Sequence, residues 1–193
     1  MFQPASPATV ESQRGAPDIP LRLHIGGEQS HPGWKILNIR PGPGVDHVGT
    51  CNDLSTFGES TVAEIYASHV LEHLGYQEEL PQALAEMRRV LTPGAALRIS
   101  VPDLTVLAEL LLDPPTTLQE CVHVMRMMFG GQIDAHDFHR VGFSFDILAG
   151  FLGDAGFEAI ERVAAFNLFE DTSTLVYRNR AVSLNVQARK PAA

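Results

Sequence analysis

The chain has 193 residues, 45% of them hydrophobic and 19% charged, which is enough for one domain with a substantial core and short for two. Its formal charge of -9, with Lys and Arg scattered and no basic run, speaks against an electrostatic grip on nucleic acid or on an anionic membrane and favours a small or locally neutral substrate. Cys51 and Cys121 lie far apart and outside any C-x-x-C spacing, which argues against a disulfide framework and a thiolate zinc site and suits the cytoplasm.

Residues 1–20, MFQPASPATVESQRGAPDIP, are rich in Pro, Ala, Ser and Gln and hold few large apolar side chains, so they read as a mobile tail ahead of a single domain over residues 21–191. No apolar run approaches the roughly 18 residues of a membrane span, and the start lacks a basic stretch followed by an apolar signal core. A soluble protein with no membrane insertion is expected. From Leu21 onward strand and helix patterns alternate. Strands are expected over 21–25, 35–39, 45–49, 62–68 and 95–101, several of them nearly continuous apolar runs of the kind buried on both faces of a parallel sheet.

The first strand ends in Gly26-Gly27, within LHIGGEQSHPGW, where the chain can turn sharply and let a ligand approach the backbone. A dinucleotide fingerprint would carry G-x-G-x-x-G and then open a helix. Here Glu28 takes the place of the second glycine, and Pro32-Gly33 prevents a helix. The turn by itself is equally a plain strand exit. Ten residues, 26–35, join the first two strands, whereas a parallel crossover normally takes about a dozen or more and a helix. Trp34 is the natural plug for the gap left by the missing helix.

Between the fourth and fifth strands, Leu80, Leu84, Met87 and Leu91 mark one helix face, which Thr92-Pro93-Gly94 is expected to stop. Asp103 then offers an N-cap to a helix over 104–112, and Leu118, Val122, Met125 and Phe129 mark another over 118–129, with core packing as its expected role. Ser144 caps a third helix, closed by Gly153 and Gly156. Two last strands, about 157–166 and 181–189, lack a helix between them and can pair antiparallel.

The segment IYASHVLEHLGYQEELPQALAEMRRVLTPGAALRISVPDL, residues 65–104, resembles the central part of class I S-adenosylmethionine (SAM)-dependent methyltransferases, and GFSFDILAGFLGDAGFEAI resembles that family's approach to its last two strands. The compact length and the Gly33-Trp34 pair are similar to small methyltransferases associated with surface-glycan synthesis. The resemblance implies a Rossmann-like, doubly wound α/β fold: a seven-stranded, mostly parallel sheet with one antiparallel strand and a shortened first connection. It places SAM at the carboxyl ends of the first strands. Gly26 and Gly27 would then bring bare backbone against the methionine moiety. Asp53, followed by Leu54, matches the position that accepts a hydrogen bond from the adenine amino group. Ser68 and His69 would lie beneath the methionine moiety and the transferring methyl.

Two positions depart from the family pattern. Its acidic residue at the end of the second strand, which accepts the ribose hydroxyls, aligns with Arg40, and a guanidinium only donates. Asn38 supplies one acceptor two residues earlier, and Asp46 is the nearby acid to pair with Arg40. Glu28 places a negative charge where it suits the ammonium of SAM and repels its carboxylate. In GGQIDAHDFHRVGF, the residues Asp134, His136, Asp137 and His139 have the composition of a metal set, yet flanking glycines suggest a loop over the cofactor pocket, so no metal is expected. The resemblance makes His139 the candidate general base, with His73 behind it. The expected activity is methyl transfer to a hydroxyl or amine of a small or glycan-linked acceptor. The alternative is a non-catalytic binding or assembly module that kept the fold and lost SAM.

Overall fold

The computed structural model of the chain describes residues 20–113 and 117–192, so the tail expected over 1–20 lies, but for Pro20, outside the described residues. In chain order the elements are β1 (Leu21–Ile25), β2 (Trp34–Asn38), β3 (His47–Val48), β4 (Val62–Ser68), a 3-10 turn (Leu71–His73), α1 (Glu79–Val90), β5 (Leu91–Pro102), α2 (Leu104–Leu112), α3 (Leu118–Phe129), α4 (Phe145–Asp154) and β6 (Glu158–Val163). A second 3-10 turn (Thr172–Thr174), a small hairpin of β7 (Val176–Tyr177) and β8 (Arg180–Ala181), and β9 (Ser183–Arg189) follow. The seven-stranded sheet runs β3-β2-β1-β4-β5-β9-β6. Pairs among β1 to β5 are parallel, and β9 is antiparallel to both β5 and β6. This is the Rossmann-like methyltransferase fold, with one antiparallel strand. Among the described residues no helix is long and apolar enough to cross a membrane.

One face of the sheet carries the main core. Leu23 and Ile25 of β1, Ile65 and Ala67 of β4, Leu97 and Ile99 of β5 and Val186 of β9 pack there with Leu80, Leu84 and Met87 of α1 and Leu148 and Leu152 of α4. The same period of two turns Arg22, Glu64, Arg98 and Gln187 to the opposite face, where Arg22 lies 3.5 Å from Glu64, Arg98 pairs with Glu64, and Arg98 donates to Gln187. A polar ladder thus replaces part of the apolar surface expected on both faces.

The link from β1 to β2 contains no helix. Its place over the sheet is filled by aromatic rings: Phe169 stacks on His24 at 4.0 Å and on Tyr66 at 5.0 Å and meets Trp34 edge-on at 5.2 Å. Trp34 is buried, so it does plug the gap, but the ring it plugs against arrives from the loop after β6.

Several boundaries differ from the sequence expectation. β2 begins one residue early, at Trp34, and β3 has two residues rather than five. α1 ends at Val90, ahead of Thr92-Pro93-Gly94, and Leu91, expected on the helix face, begins β5, whose register against β4 shifts through this segment, where Gly94 has φ +77. Arg89, in the last turn of α1, is structural, its guanidinium donating to the carbonyls of Leu54 and Phe57 and pairing with Glu86. The last strands do pair antiparallel, though β6 stops at Val163 and β9 begins at Ser183. On α3 the apolar stripe faces outward: Leu118, Val122, Met125 and Phe129 are exposed, and Val124 is the residue that packs against Leu107, Leu110 and Val182. Helical period defines a face, and tertiary packing decides whether that face is covered.

Candidate functional site

The exits of β1, β2 and β4 converge at the carboxyl edge of the sheet, where a doubly wound fold places its ligands. Together with residues 49–52 and the loop 135–140 they enclose a cavity of about 480 Å³, lined among others by Gly26, Glu28, Asn38, Arg40, Asn52, His69, His73 and Arg140. That volume lies within the range typical of small-molecule sites, roughly 300 to 1,000 Å³.

Each wall has a local cause. Gly26 has φ +83, and a Cβ there would overlap the Val70 side chain. A Cβ on Gly27 would run into the His24 ring. Asn38 clamps this turn, its amide donating to the carbonyls of Gly27 (3.0 Å) and Gly26 (3.3 Å) while its Oδ1 accepts from the Arg40 backbone at 2.9 Å. The Arg40 guanidinium donates to Asp134 at 2.5 Å, tying β2 to the loop after α3. Asp46, the acid expected beside Arg40, instead accepts from Lys35 at 2.6 Å and from the Ile36 backbone at 2.9 Å.

The β4 exit is the most polar wall. His69 adopts φ +54, and its Nε2 lies 3.1 Å from Ser183 Oγ, whose own hydroxyl donates to the Thr172 carbonyl at 2.8 Å. In the following 3-10 turn Glu72 is buried, with Oε1 3.2 Å from His69 Nδ1. Burial pushes the Glu72 carboxyl up, and the neighbouring His69 and His73 imidazoles more than offset this, holding it below the ordinary carboxylate value. The Glu72 carbonyl accepts from Arg140 (2.7 Å) and Val141 (3.3 Å), which brings the segment holding His139 against the turn. His73 and His139 then meet edge-on at 4.9 Å. Burial keeps the His139 imidazole below its ordinary value, against the Glu72 charge and the Met128 backbone, which raise it.

Of the residues singled out in the sequence, Gly26, Glu28, Asn38, Arg40, His69 and His73 line the cavity. Gly27 and Ser68 line an adjoining open cleft, bounded on its far side by residues 167–172, which shares Gly26, Glu28 and His69 with the cavity. His139 does not line the cavity but meets the His73 ring edge-on at 4.9 Å. Asp53 and Leu54 reach neither space: the Asp53 carboxylate accepts from the Ser55 backbone at 3.1 Å, and Leu54 is fully buried with its amide donating to Glu86 at 3.0 Å. The neighbouring Asn52 lines the cavity in their stead. The 134–139 residues do not assemble as a set, because Asp134 binds Arg40 and the His136 amide while Asp137 accepts from the Ile133 amide. Glu72 could be recognised in sequence only as an acid in an apolar turn; its burial between imidazoles is a long-range product.

With this geometry in place, comparisons with known proteins are informative. A profile described as a methyltransferase domain matches residues 37–99, from β2 into β5. No curated protein matches the chain. Among solved structures, the fold is similar to a SAM-dependent methyltransferase from Thermotoga maritima described as a possible histamine N-methyltransferase, with TM-score 0.56 and 17% identity over 88% of this chain and 81% of that one. It is likewise similar to the 1,6-didemethyltoxoflavin-N1-methyltransferase of Burkholderia thailandensis, solved with its substrate and S-adenosylhomocysteine, at TM-score 0.55 and 18% identity over 89% and 71% of the two chains. Against the CurJ carbon methyltransferase the TM-score is 0.54 at 14% identity, and the match covers 89% of this chain but 48% of that one. The chain thus spans about half of that structure.

Proposed function

We propose that the protein is a SAM-dependent methyltransferase that acts in the cytoplasm on a hydroxyl or amine of a small or glycan-linked acceptor, not on nucleic acid. The observation that carries this reading is the cavity at the carboxyl ends of β1, β2 and β4, closed on one side by the bare Gly26 backbone. Its residues fit the cofactor in part: Gly26 leaves room for the methionine moiety, Asn52 offers an amide near the adenine end, and Glu28 can meet the ammonium. The family resemblance proposes Asp53 and Leu54 as adenine contacts; in this reading the role passes to Asn52, which lines the cavity while the Asp53 carboxylate accepts from the Ser55 amide.

When bound, SAM supplies an electrophilic methyl on sulfur. The chain's task is to hold an acceptor in line with that methyl, to exclude water and to accept the acceptor's proton. His73 lines the cavity with His139 behind it, and this pair stands for the proton-accepting role. No covalent enzyme intermediate is required. The adjoining cleft, which meets the cavity at His69, gives the acceptor an approach.

A second reading, a methyltransferase-like module without SAM, is favoured by the ribose edge: Arg40 offers only donors, and Asn38 Oδ1 already accepts from the Arg40 backbone. Calorimetric titration with SAM and with S-adenosylhomocysteine separates the two. Micromolar to submillimolar binding of both supports the enzyme, and a folded protein silent to both at millimolar ligand supports the module.

A further inference from the structure

We propose that Glu72, His73 and His139 form a binding site for one divalent transition-metal ion, of the zinc class, at the inner end of the cavity. Each residue offers one ligand atom, and the three atoms lie within 4.8 Å of one another. Two imidazoles and a carboxylate, with further positions left open, are a donor set that zinc and other first-row divalent ions favour. Metal bonds of about 2.0 to 2.2 Å bring tetrahedral ligand atoms to roughly 3.3 Å separation, so each side chain would close in by roughly 1 Å.

The unused valences point the same way. Glu72 is 1% exposed, and neither of its carboxylate oxygens has a hydrogen-bond partner of good geometry. Two buried carboxylate oxygens without hydrogen-bond partners are free to serve as metal ligands. His73 Nδ1 lies 3.1 Å from the Phe138 carbonyl, which can only accept, so Nδ1 carries the hydrogen and Nε2 is left with its lone pair. A backbone carbonyl holding the far nitrogen of an imidazole is the usual support of a metal-bound histidine. Among the described residues His139 Nδ1 is buried without a hydrogen-bond partner of good geometry. The Arg140 and Val141 amides, both bound to the Glu72 carbonyl, fix the two segments that contribute these ligands.

His69 supplies the rival account. Because the Ser183 hydroxyl gives its hydrogen to Thr172, it can only accept from His69 Nε2, and Nδ1 then faces Glu72 either as a second N–H or as a lone pair. In the first case His69 is the hydrogen-bond partner of Glu72; in the second Nδ1 leaves Glu72 free to take another partner, which the metal ion would be. His73 and His69 both line the cavity, so an ion held here presents its open positions to the ligand space. Such an ion would take the place of the His73–His139 pair in activating the acceptor, lowering the pKa of a bound hydroxyl so that its proton passes to solvent, which favours a hydroxyl over an amine. This last step rests on the methyl-transfer reading; the metal site does not.

The test uses the full chain, dialysed against chelator and titrated without SAM. Cobalt(II), whose visible absorption reports coordination, is followed by spectroscopy, and zinc by calorimetry. The expected result is one equivalent of cobalt bound with a low-coordinate spectrum, displaced by zinc. His73→Ala and His139→Ala should each weaken binding roughly a hundredfold or more, as expected for loss of a ligand in a three-residue set. His123→Ala, on α3, should leave it unchanged. Glu72→Gln can fail to fold because the position is buried, so circular dichroism accompanies every variant and the two histidine variants decide. A folded wild type that binds neither ion at about 100 µM, or binding that survives both histidine variants, overturns the site. A parallel titration with S-adenosylhomocysteine keeps the outcomes apart: metal binding lost with cofactor binding intact defeats this inference alone, and the converse defeats the cofactor reading alone.

Discussion

Arg40 and Asp134 stand 94 residues apart in the chain and meet at 2.5 Å across the rim of the cavity. The contact joins the end of β2 to the loop after α3 and gives the Arg40 guanidinium a carboxylate partner. Asp134 is held below the ordinary carboxylate value first by the His136 amide, against an opposing push from desolvation, and then by the Arg40 charge. Both side chains are about half exposed, so the pair adds little to global stability.

Its consequence is for ligand binding. Arg40→Asp alone sets two carboxylates against each other and should loosen the loop. Arg40→Asp with Asp134→Asn removes the repulsion and leaves a carboxylate able to accept both ribose hydroxyls. The double variant should bind S-adenosylhomocysteine roughly tenfold or more tightly than wild type, since hydrogen bonds to a charged group contribute about 1.5 to 3 kcal/mol. Calorimetry on the three proteins checks this, and a double variant with no gain would place the ribose elsewhere.

Asn52 and Asp53 are adjacent in sequence and differ in what they face. Asn52→Ala should weaken S-adenosylhomocysteine binding about fivefold to tenfold, the loss of one neutral hydrogen bond. Asp53→Ala should change affinity less and lower the melting temperature slightly, because its carboxylate supports the Ser55 amide. The opposite ranking would show that the 50–55 loop rearranges to bring Asp53 onto the ligand.

Trp34→Ala should destabilise the protein by about 3 to 5 kcal/mol, the range for removing a buried large aromatic side chain. Trp34 is 7% exposed and stands where a crossover helix would otherwise cover the sheet. Phe169→Ala should lose part of the same stability, and the two losses should be less than additive because the rings touch. Urea unfolding of both single variants and the double reads the coupling; strict additivity would mean that the rings act separately.

His24 gives an acid-side prediction. Burial lowers its pKa from 6.5 to about 4, opposed by the Asp171 charge and assisted by His31. The unfolded chain therefore takes up a proton on this residue before the folded one does. The contribution is fully present above pH 6.5 and is lost as the pH falls towards 4, by up to about 3 kcal/mol. His24→Phe keeps a ring against Tyr66 and Phe169 and has no proton to bind. Its unfolding free energy should fall less between pH 6.5 and 4 than that of wild type, and parallel pH curves would refute the assignment.

The alternation of apolar runs and the caps at Asp103 and Ser144 were sufficient to locate most elements, because strand and helix periods and capping side chains act over a few residues. The bounds of β1, β4, α2 and α3 agree with that local reading. Gly26 was legible for the same reason: a positive φ at a strand exit demands a residue without a Cβ.

What tertiary structure decided is every relation between distant side chains. The aromatic cover over the short first connection depends on Phe169, which lies beyond β6. The outward face of α3 carries the same apolar period as a buried one, and it is distinguished by having no packed neighbour among the described residues. Charge partners followed distance in space rather than in sequence, so Arg40 took Asp134 and left Asp46 to Lys35. The polar cluster of Glu72, His73 and His139 needed the Arg140 and Val141 amides to dock on the Glu72 carbonyl before its members could meet. Local sequence sets dihedrals and caps directly, whereas ligand geometry and burial arise only when segments tens of residues apart compete for the same space.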